Sequence, residues 1–475
     1  MAHAPDTITQ RPLPDWFDEA KFGIFIHWGI FSVPAFAPKT YDIVELLKGH
    51  FDTMMAELPY VEWYQQAYGL KDSPTRKWHD ETYGPDVTYE KDFRAEFENN
   101  LEHFDAKAWA KAFKMAGARY VVLVTKHHDG YTLWPSAHDN PNRPGWHAPR
   151  DLVGELADAV RAEGMRFGTY YSGGWDWTFT NLQFRTPVDM FASSPTSKKY
   201  NAYAEAHFRE LIDRYEPCVL WNDICYPTAN GLFELIEDYY KAVPDGIVND
   251  RWQQAGWLNA LFRPKPMRMI GNVIGKQMLK KFDGTFVGPP LDFADFRTPE
   301  FSRFDDIQDS KWEATRGMGH GFAHNRTETD ADMISPRTLI QDFVDGVSKN
   351  GNLLLNVGPD GMGQIPDVQM SRLQAFGEWM DINGEAIYGT RPWVRPSADS
   401  AEGHTVRFTR KGDDLYAILF DPGTGGATLD LPVNPDAVNA LGCEVRASSD
   451  GTKLRLDWTG TLKTAALTLK IAGAA

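Results

Sequence analysis

The stretch Cys218-Val-Leu-Trp-Asn-Asp223-Ile-Cys-Tyr-Pro227 decides how the rest of the chain is read. A short apolar run ends in Trp221, Asn222 and Asp223 and is broken at Pro227. A buried parallel strand has this form when it delivers a carboxylate to the catalytic end of an α/β barrel. Taken alone, Asp223 also reads as a cap for the next helix. Other apolar runs end the same way, however, in His, Tyr, Arg or Asn.

Working outward from Asp223, the predicted strands are Phe22–Trp28, Tyr120–His127, Arg166–Ser172, Cys218–Asp223, Gly246–Asp250, Leu291–Phe296, Lys311–Thr315 and Asn352–Val357. Segments of helical period lie between them. Ala106–Ala116 follows Asp105 as N-cap, and Leu152–Ala162 is opened by Asp151 and closed by Gly164. Tyr203–Tyr215, Leu232–Val243, Leu339–Ser348 and Val368–Ile382 read similarly. Eight strands alternating with helices predict an α/β fold, a TIM-like (β/α)8 barrel with long loop insertions. An open doubly wound sheet is the competing arrangement. No Gly-rich phosphate fingerprint follows any strand, which weighs against its dinucleotide-binding form.

The barrel domain is expected over residues 1–388. After Tyr388-Gly-Thr-Arg-Pro-Trp-Val-Arg-Pro396 the helical period disappears. Short alternating runs at 405–410, 414–420, 427–431, 453–458 and 466–471 predict an antiparallel β-sandwich domain over 389–475.

A formal net charge of −16 over 475 residues argues against nucleic acid as a partner, because phosphate binding needs a basic surface. The N-terminus Met1-Ala-His-Ala-Pro-Asp-Thr-Ile-Thr-Gln10 has no basic or apolar leader region, and no apolar run reaches membrane-spanning length. Cys218, Cys225 and Cys443 have no metal-binding spacing, and Cys218 and Cys225, on and just after one strand, read as buried free thiols. These features predict a cytoplasmic protein that does not engage a membrane. The 16 Trp, 18 Tyr and 28 Phe supply a large aromatic core and candidate stacking faces for a sugar.

The polar strand ends are His27-Trp28, Lys126-His127-His128-Asp129, Tyr170-Tyr171-Ser172, Trp221-Asn222-Asp223, Asn249-Asp250-Arg251-Trp252 and Asn356, with Arg297-Thr298-Pro299-Glu300 near the sixth. Gathered at one barrel end, they need a polar ligand. Two carboxylates among imidazoles, Arg and Trp suit glycoside hydrolysis. The alternative is a metal-dependent hydrolase using His27, His127, His128, His320 and His324. Against it, adjacent His127 and His128 point to opposite sides of a regular strand, and no strand carries His-x-His spacing.

Several motifs together resemble family 29 glycoside hydrolases, the α-L-fucosidases, of the broad-specificity subgroup. They are Trp16-Phe-Asp-Glu-Ala-Lys-Phe-Gly-Ile-Phe-Ile-His-Trp-Gly-Ile-Phe-Ser32, Lys126-His-His-Asp-Gly130, Phe167-Gly-Thr-Tyr-Tyr-Ser-Gly-Gly174, Leu220-Trp-Asn-Asp223, Val248-Asn-Asp-Arg-Trp252, Lys311-Trp-Glu-Ala-Thr-Arg-Gly317 and Gly351-Asn-Leu-Leu-Leu-Asn-Val-Gly-Pro359. The resemblance implies an exo-acting, retaining enzyme with Asp223 as nucleophile and Glu300, in Thr298-Pro-Glu-Phe301, as general acid/base. It places His27, Glu62, Trp63, His127, His128, Tyr170, Trp221 and Arg251 around the sugar. It implies fucosylated oligosaccharides or glycoconjugates as substrates, no metal and no cofactor, and it is compatible with a homo-oligomer. An α-L-galactoside-cleaving relative and a fucose-binding protein without catalysis are the neighbouring readings. Glu313 competes with Glu300 as acid/base, its other reading being a structural salt bridge. Two segments depart from or frame the family pattern: a long insertion, 253–291, carrying basic and apolar residues, and a rim loop from Pro34 to Pro59.

Overall fold

The computed structural model describes residues 4–180, 182–227, 231–254, 259, 261–279 and 291–475. Among these, seven parallel strands form one curled sheet. They are β1 (Phe22–Ile26), β2 (Tyr120–Lys126), β3 (Arg166–Ser172), β4 (Val219–Asp223), β5 (Ile247–Val248), β6 (Trp312–Arg316) and β7 (Gly351–Val357), in the order β5-β4-β3-β2-β1-β7-β6. β1, β2, β4 and β7 are buried at every position. That is why they read as near-continuous apolar runs, as strands covered on both faces do.

The expected strand at Leu291–Phe296 is not formed. Asp292 and Phe293 turn, with Ala294 N–H donating to the Leu291 carbonyl at 3.3 Å. Pairing begins a few residues later. The Asp295 N–H donates to the Val248 carbonyl at 3.0 Å, and Asp295 Oδ2 accepts from Val248 N–H at 2.7 Å. Bridges Arg297↔Trp312 and Glu300↔Thr315 then tie the segment to β6. An irregular, proline-containing strip therefore fills the gap between β5 and β6 and completes the (β/α)8 barrel. Pro299 has no N–H for a regular ladder, so the strip bridges rather than pairs.

The helices follow their caps. Asp105 accepts from the N–H groups of Lys107 and Ala108 before the helix Ala106–Met115. Asp151 accepts from Gly154 before Leu152–Ala162, after which Gly164 takes a φ of 73°. Lys198–Tyr215, Leu232–Ala242, Pro336–Ser348 and Asp367–Asn383 cover the outside of the sheet.

The C-terminal region forms two antiparallel sheets. The first contains β8 (Arg391–Asp399), β9 (Thr405–Lys411), β10 (Asp414–Phe420), β12 (Val438–Ala440) and β15 (Ala466–Ile471). The second contains β11 (Gly423–Leu429), β13 (Arg446–Ser449) and β14 (Leu454–Leu462). β8 is an edge strand holding Pro392 and Pro396, a position where missing donors are tolerated. Period-2 alternation divides β10 between two cores. Leu415, Ala417 and Leu419 face the sandwich interior, while Tyr416 and Ile418 join the barrel cluster. Arg407 Nε donates to Asp345 Oδ1 at 2.6 Å, pinning this sheet to the helix Pro336–Ser348. Among the described residues no helix is long and apolar enough to cross a membrane.

Glu313 lies inside the barrel, not at its mouth. Its side chain is fully buried on β6, and the Tyr120 hydroxyl donates to Oε2. The expected salt bridge is replaced by this neutral-donor contact, and burial pushes the carboxyl up to about 8. A folded-state value above the ordinary 4.5 means that the favourable contribution is full below about pH 4.5 and is lost as pH rises through about 8. Glu313→Gln, which keeps an acceptor for Tyr120, is expected to match the parent near pH 5. In urea unfolding at pH 9 it should be more stable than the parent by an amount on the order of a few kcal/mol. Equal pH dependence of the two proteins would refute this account of Glu313.

Candidate active site

Asp223 ends β4, and the backbone around it is held by a glycine pair. The Gly173 and Gly174 N–H groups both donate to the Asp223 carbonyl, at 3.1 and 3.2 Å. A Cβ on Gly174 would fall 1.4 Å from the Ile224 carbonyl oxygen, so only glycine fits. Ile224 and Cys225 then take φ values of 55° and 77°, a region that L-residues rarely occupy. This strained turn swings the chain away from the strand and leaves the Asp223 carboxylate at the cleft.

The carboxylate is held by three donors. Tyr170 Oη donates to Oδ2 at 2.7 Å, while Ile224 N–H and Arg251 Nη1 donate to Oδ1, both at 3.0 Å. The same Arg251 Nη1 lies 2.6 Å from Glu300 Oε1. One guanidinium nitrogen thus bridges the two carboxylates. Those two oxygens therefore stand less than about 6 Å apart, close enough for both carboxylates to flank one glycosidic bond.

Arg251 is itself clamped. Nε donates to Thr298 Oγ1 at 3.0 Å and Nη2 to the Thr298 carbonyl at 3.1 Å. Asp250 Oδ1 accepts from both the hydroxyl and the N–H of Thr298, at 2.6 and 3.1 Å. Asp250 and Arg251, just beyond β5, therefore fix the irregular strip that carries Glu300. Burial alone would lower the Arg251 pKa, but the charges of Glu300 and Asp223 outweigh it and hold the guanidinium above its ordinary value.

Three histidines stand beside this pair. His27 Nδ1 donates to Asn356 Oδ1 at 2.6 Å, leaving Nε2 as an acceptor. His128 Nδ1 lies 2.6 Å from Ser172 Oγ, whose own hydrogen is donated to the Trp175 carbonyl. His128 Nε2 is therefore an acceptor too. Burial lowers His27 to about 4 and His128 to about 3, and places His127 well below its ordinary value. All three rings are neutral at physiological pH. His127 and His128 do not diverge as a regular strand would require. β2 ends at Lys126 after a register shift past Val124, and both rings turn into the cleft with centroids 4.0 Å apart.

All ten residues expected at the site, from His27 to Glu300, line this one cleft. Glu62 is buried on a short turn after the rim loop and accepts from Ala323 N–H at 3.2 Å; burial raises it to about 7. Trp63 meets His128 edge-to-face at 5.2 Å, and Trp221 stacks on Tyr170 at 5.3 Å. His320 lies elsewhere, paired with Glu328 at 3.1 Å, and His324 does not line the cleft. Among the described residues no three His, Cys, Asp or Glu side chains are grouped to hold a metal ion.

Reading strand ends alone misses Tyr60, Phe322 and the roles of Thr298 and Asp250. Phe322 stacks on His27 at 4.9 Å but sits in a loop without periodicity to mark it. Asp250 was visible as a strand end, yet its function in clamping Thr298 depends on the irregular strip.

A carboxylate pair shared by one arginine, with neutral imidazoles and aromatic faces at the strand ends of a parallel barrel, defines a barrel glycoside hydrolase. The α-L-fucosidase family model matches residues 2–385. The cattle tissue α-L-fucosidase is 34% identical over 436 residues, covering 91% of this chain and 80% of the relative. The α-L-fucosidase of Dictyostelium discoideum is 31% identical over 462 residues, covering 94% and 88%. The crystal structure of Thermotoga maritima α-fucosidase in complex with fucose is 37% identical, covers 98% of this chain and 99% of that one, and superposes with a TM-score of 0.79. The chain belongs to the α-L-fucosidase family, glycoside hydrolase family 29.

The glycine pair generates a direct expectation. Gly174→Ala must displace the Ile224 carbonyl and, with it, the Asp223 carboxylate. A displacement of that kind is expected to lower kcat about 100-fold, with an unchanged far-UV circular dichroism spectrum. Parent-like turnover of a folded Gly174→Ala protein would show that the turn does not aim Asp223.

Proposed function

We propose that this protein is an exo-acting, retaining α-L-fucosidase that releases terminal α-L-fucosyl groups by double displacement. The observation that supports the retaining mechanism is the single Arg251 nitrogen shared by Asp223 and Glu300, whose nearest oxygens it holds within about 6 Å, compatible with the ~5–5.5 Å carboxyl spacing of retaining glycosidases. Family membership and the fucose bound by the Thermotoga relative support the sugar.

In the first step Asp223 Oδ attacks the anomeric carbon as the glycosidic C–O bond breaks, and Glu300 gives its proton to the departing oxygen. The product is a fucosyl ester of Asp223 and a free alcohol. In the second step Glu300 takes a proton from water, the water oxygen attacks the same carbon, and Asp223 leaves as carboxylate. Arg251 serves both steps. Its Nη1 lies 3.0 Å from Asp223 and 2.6 Å from Glu300, so one guanidinium stays beside both reacting carboxylates throughout. Tyr170, whose phenol is held protonated by burial and by the Asp223 charge, keeps donating to Oδ2.

The acceptor nitrogens of His27 and His128, with the buried and unpartnered Nδ1 of His127, suit a ligand that brings several hydroxyl groups. Trp221, Tyr170 and Phe322 offer ring faces to the C–H side of the pyranose and its 6-methyl group. Every group invoked belongs to the portion 1–388. In this reading the portion 389–475 is a separate domain that buttresses the barrel helices.

Replacing Asp223 with Gly is expected to reduce hydrolysis of 4-nitrophenyl α-L-fucoside by at least about three orders of magnitude. Azide should restore turnover and yield the β-fucosyl azide. Glu300→Ala should keep its rate on that activated substrate far better than on poorly activated fucosides, and azide should give the α-fucosyl azide. The inverse pattern of anomers, or near-parent activity of Asp223→Gly, would contradict the assignment.

A further inference from the structure

The polar floor of the cleft accounts for one pyranose ring, but the cleft is much larger, about 550 Å³. Its outer part is apolar. Ile43, Leu47, Met54 and Leu58 from the rim loop face Met190 and Phe191 from the helix Pro187–Ser193. Leu47, Met54 and Leu58 are buried, whereas Phe191 is 62% exposed at the mouth. The wall packs in one cluster with Trp63 and Trp175, which contact His128, while Ser194, Gln253 and Asn259 add polar groups to the cleft lining.

This wall is braced from outside. The helix Lys265–Leu279, in the insertion, packs on Pro187–Ser193, and Arg268 Nε pairs with Asp189 Oδ1 at 3.1 Å. Lys276 pairs with Asp52 on the rim loop. Gly275 brings the helix against Phe51 and Val188, where an added Cβ would lie 3.2 Å from the Phe51 ring. The last part of the expected basic stretch, Lys280 and Lys281, lies outside the described residues. The insertion therefore ties both halves of the apolar wall together.

We propose that this wall is an aglycone subsite for apolar groups, so that the preferred substrates are α-L-fucosides of aliphatic, aromatic or polycyclic alcohols rather than fucosyl oligosaccharides. The inference rests on the fucosidase reading and names the substrate class of the same site. A sugar aglycone would lose water from its hydroxyls against Met and Leu side chains that offer no partners. An apolar aglycone removes its own surface and that of the wall from water together. Methionines on both sides let the wall adapt to different apolar shapes.

Methyl and octyl α-L-fucosides test this, because their leaving alcohols have nearly equal acidity and differ in apolar length. Below the micelle-forming concentration of the octyl compound, fucose release is expected to show a kcat/KM at least about tenfold higher for octyl than for methyl fucoside. A fucosyl-galactose disaccharide should fall with the methyl compound. Met54→Gln and Met190→Gln should each reduce the octyl-to-methyl ratio at least about threefold, mainly through KM. That ratio is independent of how much of each preparation is folded. Equal kcat/KM for octyl and methyl fucosides, or a disaccharide preferred over both, would overturn the apolar subsite while leaving the fucosidase reading intact. Failure to hydrolyse even 4-nitrophenyl α-L-fucoside would overturn both.

Discussion

One guanidinium, that of Arg251, holds the candidate active site together. It sits between Asp223 and Glu300 and is bonded to both through a single nitrogen. Two carboxylates this close repel each other, and the guanidinium between them offsets that repulsion. The double displacement proposed above needs both beside one reacting carbon, Asp223 as nucleophile and Glu300 as acid and then base.

The rest of the barrel serves to keep that nitrogen in place. β4 ends in a strained turn that only Gly174 leaves room for, and this fixes Asp223. Just beyond β5, Asp250 and Arg251 grip Thr298 through four hydrogen bonds and so fix the strip bearing Glu300. The two carboxylates come from structurally different elements, one regular and one irregular. The neutral histidines beside them add hydrogen-bonding capacity without adding charge that would compete with Arg251. An unpaired imidazolium there would be costly in so buried a place.

Much of this was legible in the order of residues, and the physical reason is burial. Strands covered on both faces are written as unbroken apolar runs, so β1, β2, β4 and β7 stood out, and the polar residues that end them pointed to a common site. Leu291–Phe296 misled because Phe293 and Phe296 are buried like strand residues, yet the chain turns there and pairs only from Asp295 onward. His127 and His128 misled because a register shift after Val124 lets both rings face the cleft. Glu62 and Trp63 follow a loop rather than a strand and were placed only through family resemblance. The apolar wall was not legible as a unit. Its two halves lie more than 100 residues apart, and neither carries a pattern that distinguishes it from ordinary core.

The account stands or falls on Asp223 becoming covalently fucosylated. The most direct measurement is to incubate the protein with 2-deoxy-2-fluoro-L-fucosyl fluoride, digest it and locate the label by tandem mass spectrometry. The fluorine at C2 slows breakdown of the ester, so the account expects a fluorofucosyl group on the peptide containing Cys218–Pro227, carried by Asp223. A label on Glu300 or on Glu313 would contradict it, as would rapid turnover of the reagent with inverted product and no label on any peptide.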